Sequence, residues 1–119
     1  MAAKKFLFVY RGSQAEAASF KPSPEQMQAL MASWGAWIGK FMQSGQMVDP
    51  GDALQMSGKV LRANGVVTDG PFVEAKELLG GYSVIKVDTY EQAVAIAKEC
   101  PAHRDGNSIE IRELAGLAG

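Results

Sequence analysis

Residues 66–82 read VVTDGPFVEAKELLGGY, and here turn residues, a carboxylate and aromatic side chains converge. A β-rich run leads to Asp69, and the Gly-Pro pair that follows it sets the backbone angles of a turn. A charged loop then leads to a double glycine, which opens a second apolar run at Tyr82. This segment predicts two strands joined by a turn and a loop, with Asp69 at the end of the first strand.

Size and composition are those of an ordinary globular protein. The chain has 119 residues, of which 47% are hydrophobic and 21% charged, so we expect one domain over residues 1–119. The net charge of −1 gives no electrostatic argument for nucleic acid or an anionic membrane as a partner. No apolar run is long enough to span a membrane, and the run over residues 6–10 is too short for a signal peptide. The single cysteine, Cys100, allows no internal disulfide, so we expect a cytoplasmic protein.

The first half of the chain predicts a strand followed by a long helix. Residues 6–10 form a continuous β-rich run, which is typical of a strand buried on both faces and therefore central in its sheet. After a loop over residues 12–22, Ser23 and Gln26 can form a capping box around Pro24. The helix should end at Gly45. Its apolar face repeats at steps of three and four residues, through Met27, Leu30, Met31, Trp34, Ile38, Phe41 and Met42.

Two glycines interrupt this helix. Each of Gly35 and Gly39 costs the helix about 1 kcal/mol relative to alanine. We expect that they allow close approach by another backbone, such as that of the sheet. Trp34 and Trp37 are interpreted as core side chains between the helix and the sheet.

The second half predicts a hairpin, a strand, a helix and a last strand. Residues 46–57 are expected to be mostly loop. The Asn64-Gly65 pair between β-rich arms at residues 59–63 and 66–68 predicts a hairpin with a type I′ turn. A strand over residues 80–87 leads to a helix capped by Asp88 or Thr89 and ended by Pro101. The strict alternation of residues 108–112 predicts a half-exposed strand.

The predicted order is therefore strand, long helix, hairpin, strand, helix, strand. With right-handed crossovers, this order gives a ferredoxin-like α+β fold, in which two helices cover one face of an antiparallel sheet. The other face would carry apolar and aromatic residues without a cover. A second copy of the chain, packed sheet against sheet, is the simplest cover, so we expect a homodimer.

The sequence resembles the DGPF (YCII-related) family over nearly its whole length. The resemblance is carried by VTDGPF at residues 67–72 and EAKELLGGY at residues 74–82. The Trp34-Gly35 pair and the helix ending in Cys100-Pro101-Ala102 also agree with it. The resemblance implies a dimeric α+β barrel. The wider superfamily includes small-molecule isomerases, oxygen-dependent enzymes, degradative enzymes and proteins with no known activity, and some DGPF proteins are associated with extracytoplasmic-function sigma factors.

The resemblance also suggests a His-Asp pair as a possible active site. The one histidine of this chain, His103, follows Pro101 in a polar segment and does not resemble the family's catalytic histidine. This departure weakens the case for histidine-assisted chemistry.

Asp69 is the candidate catalytic residue. A carboxylate held by a turn and enclosed by Phe72 and Tyr82 could have a raised pKa and act as a general acid or base. The structural alternative is a turn aspartate that accepts backbone N–H bonds and fixes the loop.

Four further residues are candidates for binding a substrate. Arg11, at the end of the first strand, could bind a carboxylate, or it could form a surface ion pair. Tyr10 and Tyr82 could direct their hydroxyls into a cleft, although a buried tyrosine with a satisfied hydroxyl is the usual case. Phe72 could be a pocket wall or a core side chain.

The remaining candidates have simpler interpretations. His103 is expected at the surface, and Cys100 is expected to be buried and inert. The sequence has no metal-ligand spacing and no nucleotide-binding glycine loop, so no cofactor is expected.

Two classes of function follow from these residues. One is a cofactor-independent enzyme, in which Asp69 transfers a proton on a carbonyl or carboxylate compound and Arg11 anchors the anion. The other is a non-catalytic regulatory module that binds a metabolite or a protein.

Overall fold

The computed structural model describes residues 3–13, 20–55, 57–70 and 77–117. Six strands and three helices lie within these ranges. They are β1 (Lys4–Ser13), α1 (Pro24–Gln43), β2 (Met47–Ala53), β3 (Gly58–Leu61), β4 (Val67–Gly70), β5 (Glu77–Val87), α2 (Tyr90–Lys98), α3 (Pro101–Arg104) and β6 (Ser108–Glu113).

Four of the strands form one antiparallel sheet in the order β2-β5-β1-β6. The α+β class and the central position of β1 are thus confirmed. Burial in β1 alternates, however, because Phe6 and Phe8 are fully buried whereas Leu7 and Val9 are half-buried. The expectation of burial on both faces was wrong for the single chain, since the helices pack against only one face.

The buried side of the sheet forms the core together with the helices. Phe6 pairs with Ile85 in the register of β1 and β5, and both side chains are fully buried. The indole of Trp37 stacks near Phe8 and donates a hydrogen bond of 3.1 Å to the carbonyl oxygen of Ile96. This bond joins α1 to α2, so the two long helices are fixed to each other above the sheet.

Helix α1 begins and ends as its sequence predicts. Ser23 accepts from the backbone N–H of Gln26, and the Gln26 side chain accepts from the backbone N–H of Ser23, which completes the capping box. Gly45 follows the helix with φ +80°, a left-handed conformation that favours glycine. At α2 the cap is Thr89 rather than Asp88, and Thr89 forms a capping box with Gln92.

The apolar face of α1 is only partly core. Trp37 and Phe41 are buried, whereas the Met31 side chain is 65% exposed. The glycine prediction for this helix was wrong, because within the described residues a Cβ added at Gly35 or Gly39 would meet no backbone of another element within 4 Å.

Residues 47–53 form a strand, although the sequence predicted mostly loop from 46 to 57. β2 pairs with β5 at one edge of the sheet, with register shifts on both sides of Asp49. Pro50 lacks a backbone N–H, and an edge strand tolerates this loss. The proline and the shifts concealed the strand in the sequence.

The hairpin prediction is confirmed, but its turn type was wrong. β3 pairs with β4, with Leu61 opposite Val67 and Lys59 opposite Asp69. Gly65 has φ +88° and Asn64 does not have a positive φ, whereas a type I′ turn needs positive φ at both positions. The N–H of Gly65 donates to the carbonyl of Arg62 instead, which gives the longer turn in which glycine follows a type I bend.

The second helix and the last strand lie where the sequence places them. Cys100 is free and buried, and His103 is exposed, as expected. Val94 of α2 is 38% exposed. None of the helices in the described ranges has the length and apolar character needed to cross a membrane.

The double glycine lets β2 lie close to β5. A Cβ added at Gly81 would lie 2.7 Å from the carbonyl oxygen of Asp52, whereas one at Gly80 would lie 3.5 Å from that of Tyr10. We expect Gly81→Ala to lower the free energy of unfolding by about 1–3 kcal/mol, because backbone must move, and Gly80→Ala to lower it by less than 1 kcal/mol. Urea unfolding of the two variants measures the difference, and equal losses would contradict the close-approach explanation.

Candidate functional site

A cavity of about 550 Å³ lies at one end of the four-stranded sheet. Its walls come from the ends of β1, from α1, from the β2 and β5 edge, and from the region around α3 and β6. This volume is within the range of small-molecule sites in proteins.

The apolar wall of the cavity is built by α1. Leu30, Trp34 and Ile38 recur every four residues and face the cavity, with Met31 beside them. Phe20, before the helix, adds a second aromatic side chain. Four residues of the α1 stripe that are not fully buried therefore line this cavity.

The floor of the cavity contains a chain of hydrogen bonds across three strands. Ser83 Oγ donates to the carbonyl oxygen of Pro50 at 2.7 Å. Because that bond uses the one hydroxyl proton of Ser83, the Tyr10 hydroxyl donates to Ser83 Oγ, also at 2.7 Å. The Tyr10 ring meets Trp34 edge to face, with 5.2 Å between ring centroids. Tyr10 is thereby fixed as a rigid aromatic surface.

Burial perturbs two ionisable groups beside the floor. Burial raises the pKa of the Tyr10 phenol well above its usual value, and its interaction with Cys100 acts in the same direction. Burial also raises the pKa of the Cys100 thiol, although the backbone N–H groups of Ala102 and His103 oppose this. Both groups are neutral at ordinary pH, so neither is an activated nucleophile or base.

Arg11 lies at the cavity wall as one member of a charged row. Its Nε donates to Glu110 Oε1 at 2.7 Å, and Arg112 Nη1 donates to Glu110 Oε2 at 3.2 Å. The hydrogen bond from Arg11 is the largest cause of a lowered pKa of the Glu110 carboxyl, with Arg112 adding to it. Glu110 pairs with Val9, so this ion pair lies on the sheet face that carries Val9, and Arg11 borders the cavity from that side with its Nε bound to Glu110.

The opposite wall is formed by β2 and β5. Asp52 and Tyr82 pair across these strands and both line the cavity. Gly51 has φ +67°, and a Cβ at this position would overlap the carbonyl oxygen of Tyr82. The wall can therefore form only with glycine at position 51.

The structure brings three of the five sequence-predicted site residues together. Tyr10, Arg11 and Tyr82 line the cavity. Phe72 lies outside the described residues. Asp69 lies on the β3-β4 hairpin, where its side chain is 88% exposed and accepts a hydrogen bond of 2.5 Å from Lys59. It is not part of the cavity wall, and its catalytic role stays a prediction.

Sequence reasoning missed several cavity residues. Trp34 was assigned to the core; it does pack against the core, but it also lines the cavity. Asp52 was overlooked because β2 was predicted as loop, and Asn107 because it lies in the turn before β6. Within the described part of the chain, no three metal-ligating side chains lie close together.

The family model for the YCII-related domain matches residues 6–116, which is almost the whole chain. The chain belongs to the YCII-related domain family. No curated protein sequence matches it. In this YCII-related protein, the matched region includes the described residues that line the cavity.

The buried phenol of Tyr10 predicts a loss of stability in alkali. Its pKa is raised in the folded state, so its contribution is complete below the unfolded value of 10.0 and is lost as pH rises above it. Tyr10→Phe should reduce the fall in unfolding free energy between about pH 10 and 11.5, by up to ~1.4 kcal/mol per pH unit. Urea unfolding across this range measures it.

Ser83→Ala is the matched control for this experiment. It removes the acceptor of the Tyr10 hydroxyl but keeps the buried phenol. The unfolding free energy should therefore still decrease at alkaline pH, and it should also be lower at neutral pH than in the wild type. An alkaline fall of the same size in Tyr10→Phe as in the wild type would show that Tyr10 does not cause it.

Proposed function

We propose that this YCII-related protein binds a small molecule with a largely apolar body and a carboxylate or carbonyl group. The observation that carries the proposal is the 550 Å³ cavity with an aromatic and aliphatic wall and a few polar groups at one side. Such a lining is typical of sites in which apolar contact supplies affinity and a few polar groups orient the ligand.

The cavity suggests how the ligand lies. The apolar body packs against Trp34 and Ile38, and the ring of Tyr10 forms the floor. The carboxylate or carbonyl oxygen accepts from the Nη groups of Arg11, whose Nε stays with Glu110. Tyr82 and Asp52 lie on the opposite wall and can bind a hydroxyl or amine of the ligand.

Binding is better supported than catalysis by Asp69. Asp69 lies on the β3-β4 hairpin, outside the cavity wall. For Asp69 to transfer a proton on a carbonyl or carboxylate ligand in the cavity, this hairpin would have to move to the cavity. The groups that do line the cavity can orient a ligand without reacting with it. We therefore favour a non-catalytic role, in which the protein is a regulatory module that binds a small molecule.

The sheet supports the ferredoxin-like assignment as a further proposal. The order β2-β5-β1-β6, antiparallel throughout, is the ferredoxin-like order with the β3-β4 hairpin inserted between its second and third strands. The face opposite the core carries Leu7 and Val9 of β1, opposite Val84 and Tyr82 of β5. We propose that a second copy covers this face and forms a dimeric barrel.

Ligand binding can be tested with the tryptophan that lines the cavity. In Trp37→Phe, Trp34 is the remaining tryptophan, so an aromatic carboxylate such as 4-phenylbutyrate should change its emission and raise the melting temperature. Arg11→Gln should weaken this binding about tenfold but leave the binding of the uncharged 4-phenylbutyramide unchanged. Titration calorimetry with both compounds measures the two affinities.

Arg112→Gln is the matched control, because Arg112 also contacts Glu110 but does not line the cavity. It should retain the affinity of the wild type for the carboxylate. The proposal fails if neither compound binds, or if Arg112→Gln weakens carboxylate binding as much as Arg11→Gln does.

The homodimer can be tested by charge placed on the uncovered face. Val9→Lys should convert a dimer to a monomer in sedimentation experiments, because an unpaired lysine would be buried at the centre of the interface. Val94→Lys, on the exposed side of α2, should remain a dimer. A monomeric wild type at micromolar concentration would refute the dimer.

A further inference from the structure

A second depression of about 750 Å³ adjoins the cavity on the outer side of α1. Phe20 and Leu30 line both spaces, so these two side chains form the ridge between them. A ligand that leaves the cavity over this ridge enters the second depression directly. We call this depression the outer groove, and it is defined by residues before α1, by α1 and by α3.

The outer groove is more polar than the cavity. Lys21 and Arg104 line it, and among its described lining residues Asp105 is the one carboxylate. Neither cation forms an ion pair with a carboxylate among the residues that the structure describes. Ser33 and Gln26 of α1 add a hydroxyl and an amide. The groove therefore has an excess of positive charge and of hydrogen-bond donors.

We propose that the outer groove binds a second anionic group of the same ligand. The ligand then has an oxygen anion at Arg11, an apolar body across Phe20 and Leu30, and a carboxylate or phosphate group between Lys21 and Arg104. This inference rests on the proposed binding function and specifies its ligand class as an elongated molecule with an anion at each end.

Two anchors on a rigid frame make the ligand's length decisive. α1 lies between the cavity and the groove, and its capping box and core contacts fix its position. A ligand that is too short reaches the cation of the cavity or those of the outer groove, but not both. Its second anion then adds nothing to the affinity. A ligand of the right length gains from both anchors.

The test is a series of α,ω-dicarboxylates from adipate to tetradecanedioate, each compared with the monocarboxylate of the same length. Titration calorimetry on the wild type should show about tenfold tighter binding of the dicarboxylate around one length only. The gain should decrease as salt is added, because Lys21 and Arg104 are exposed. A second set of titrations uses phosphonocarboxylates of the same lengths. Tighter binding of the phosphonate, the carboxylate or both supports the proposal and identifies the second anion.

Substitutions in the outer groove test whether the groove causes the tighter binding of the dicarboxylate. Lys21→Gln and Arg104→Gln should each reduce the dicarboxylate gain severalfold and leave monocarboxylate binding unchanged. Lys98→Gln, which removes an exposed positive charge outside the groove, should preserve the gain.

The possible failures are distinguishable. If monocarboxylates bind but dicarboxylates gain nothing at any length, the outer groove is not part of the site and the proposed function stands. If the gain survives Lys21→Gln and Arg104→Gln, or is lost equally in Lys98→Gln, the proposal is wrong. If no member of either series changes Trp34 emission or binds by calorimetry, the proposed function and this inference both fail.

Discussion

A single serine hydroxyl holds together the three strands on which the cavity is built. Ser83 is 1% exposed, accepts from Tyr10 on β1 and donates to Pro50 on β2. At Pro50 the edge strand cannot donate a ladder hydrogen bond, and the register shifts on both sides of Asp49 interrupt the pairing further. A side-chain bridge in the interior compensates for the missing backbone bonds. It adds a bond between β2 and the sheet just before the Asp52–Tyr82 pair of the cavity wall.

The same bridge links the core to the site. Tyr10 ends one hydrogen-bond chain and meets Trp34 edge to face, and Trp34 in turn meets Trp37 at 5.7 Å between ring centroids. Trp37 lies in the core and bonds to Ile96. The aromatic side chains thus form a continuous path from the cavity floor to α2. A rigid frame of this kind lowers the conformational cost of ordering a bound ligand.

Local rules accounted for most of the fold. Both capping boxes, the hairpin and the central strand follow from short-range patterns that tertiary contacts did not override. β2 was missed because Pro50 and the irregular register hide its pattern, and the room that Gly81 leaves for the Asp52 carbonyl is a long-range contact that sequence periodicity does not report. For the site, Tyr10 and Arg11 were found because they end a clear strand, whereas Asp52 depended on the missed one. Asp69 stands beside a Gly-Pro pair that marks a turn in the sequence, but turn chemistry alone does not place a side chain in a cavity.

Pro50 and the irregular register of β2 also determine how sheets of this protein can meet. An edge strand with free N–H and C=O groups in regular spacing can recruit a strand from another molecule, and such addition has no natural end. β2 presents a proline and a broken hydrogen-bond pattern at this edge. Strand-by-strand growth into a fibre is therefore blocked on the β2 side, and the feature that hid this strand from sequence reasoning also protects the protein from aggregation there.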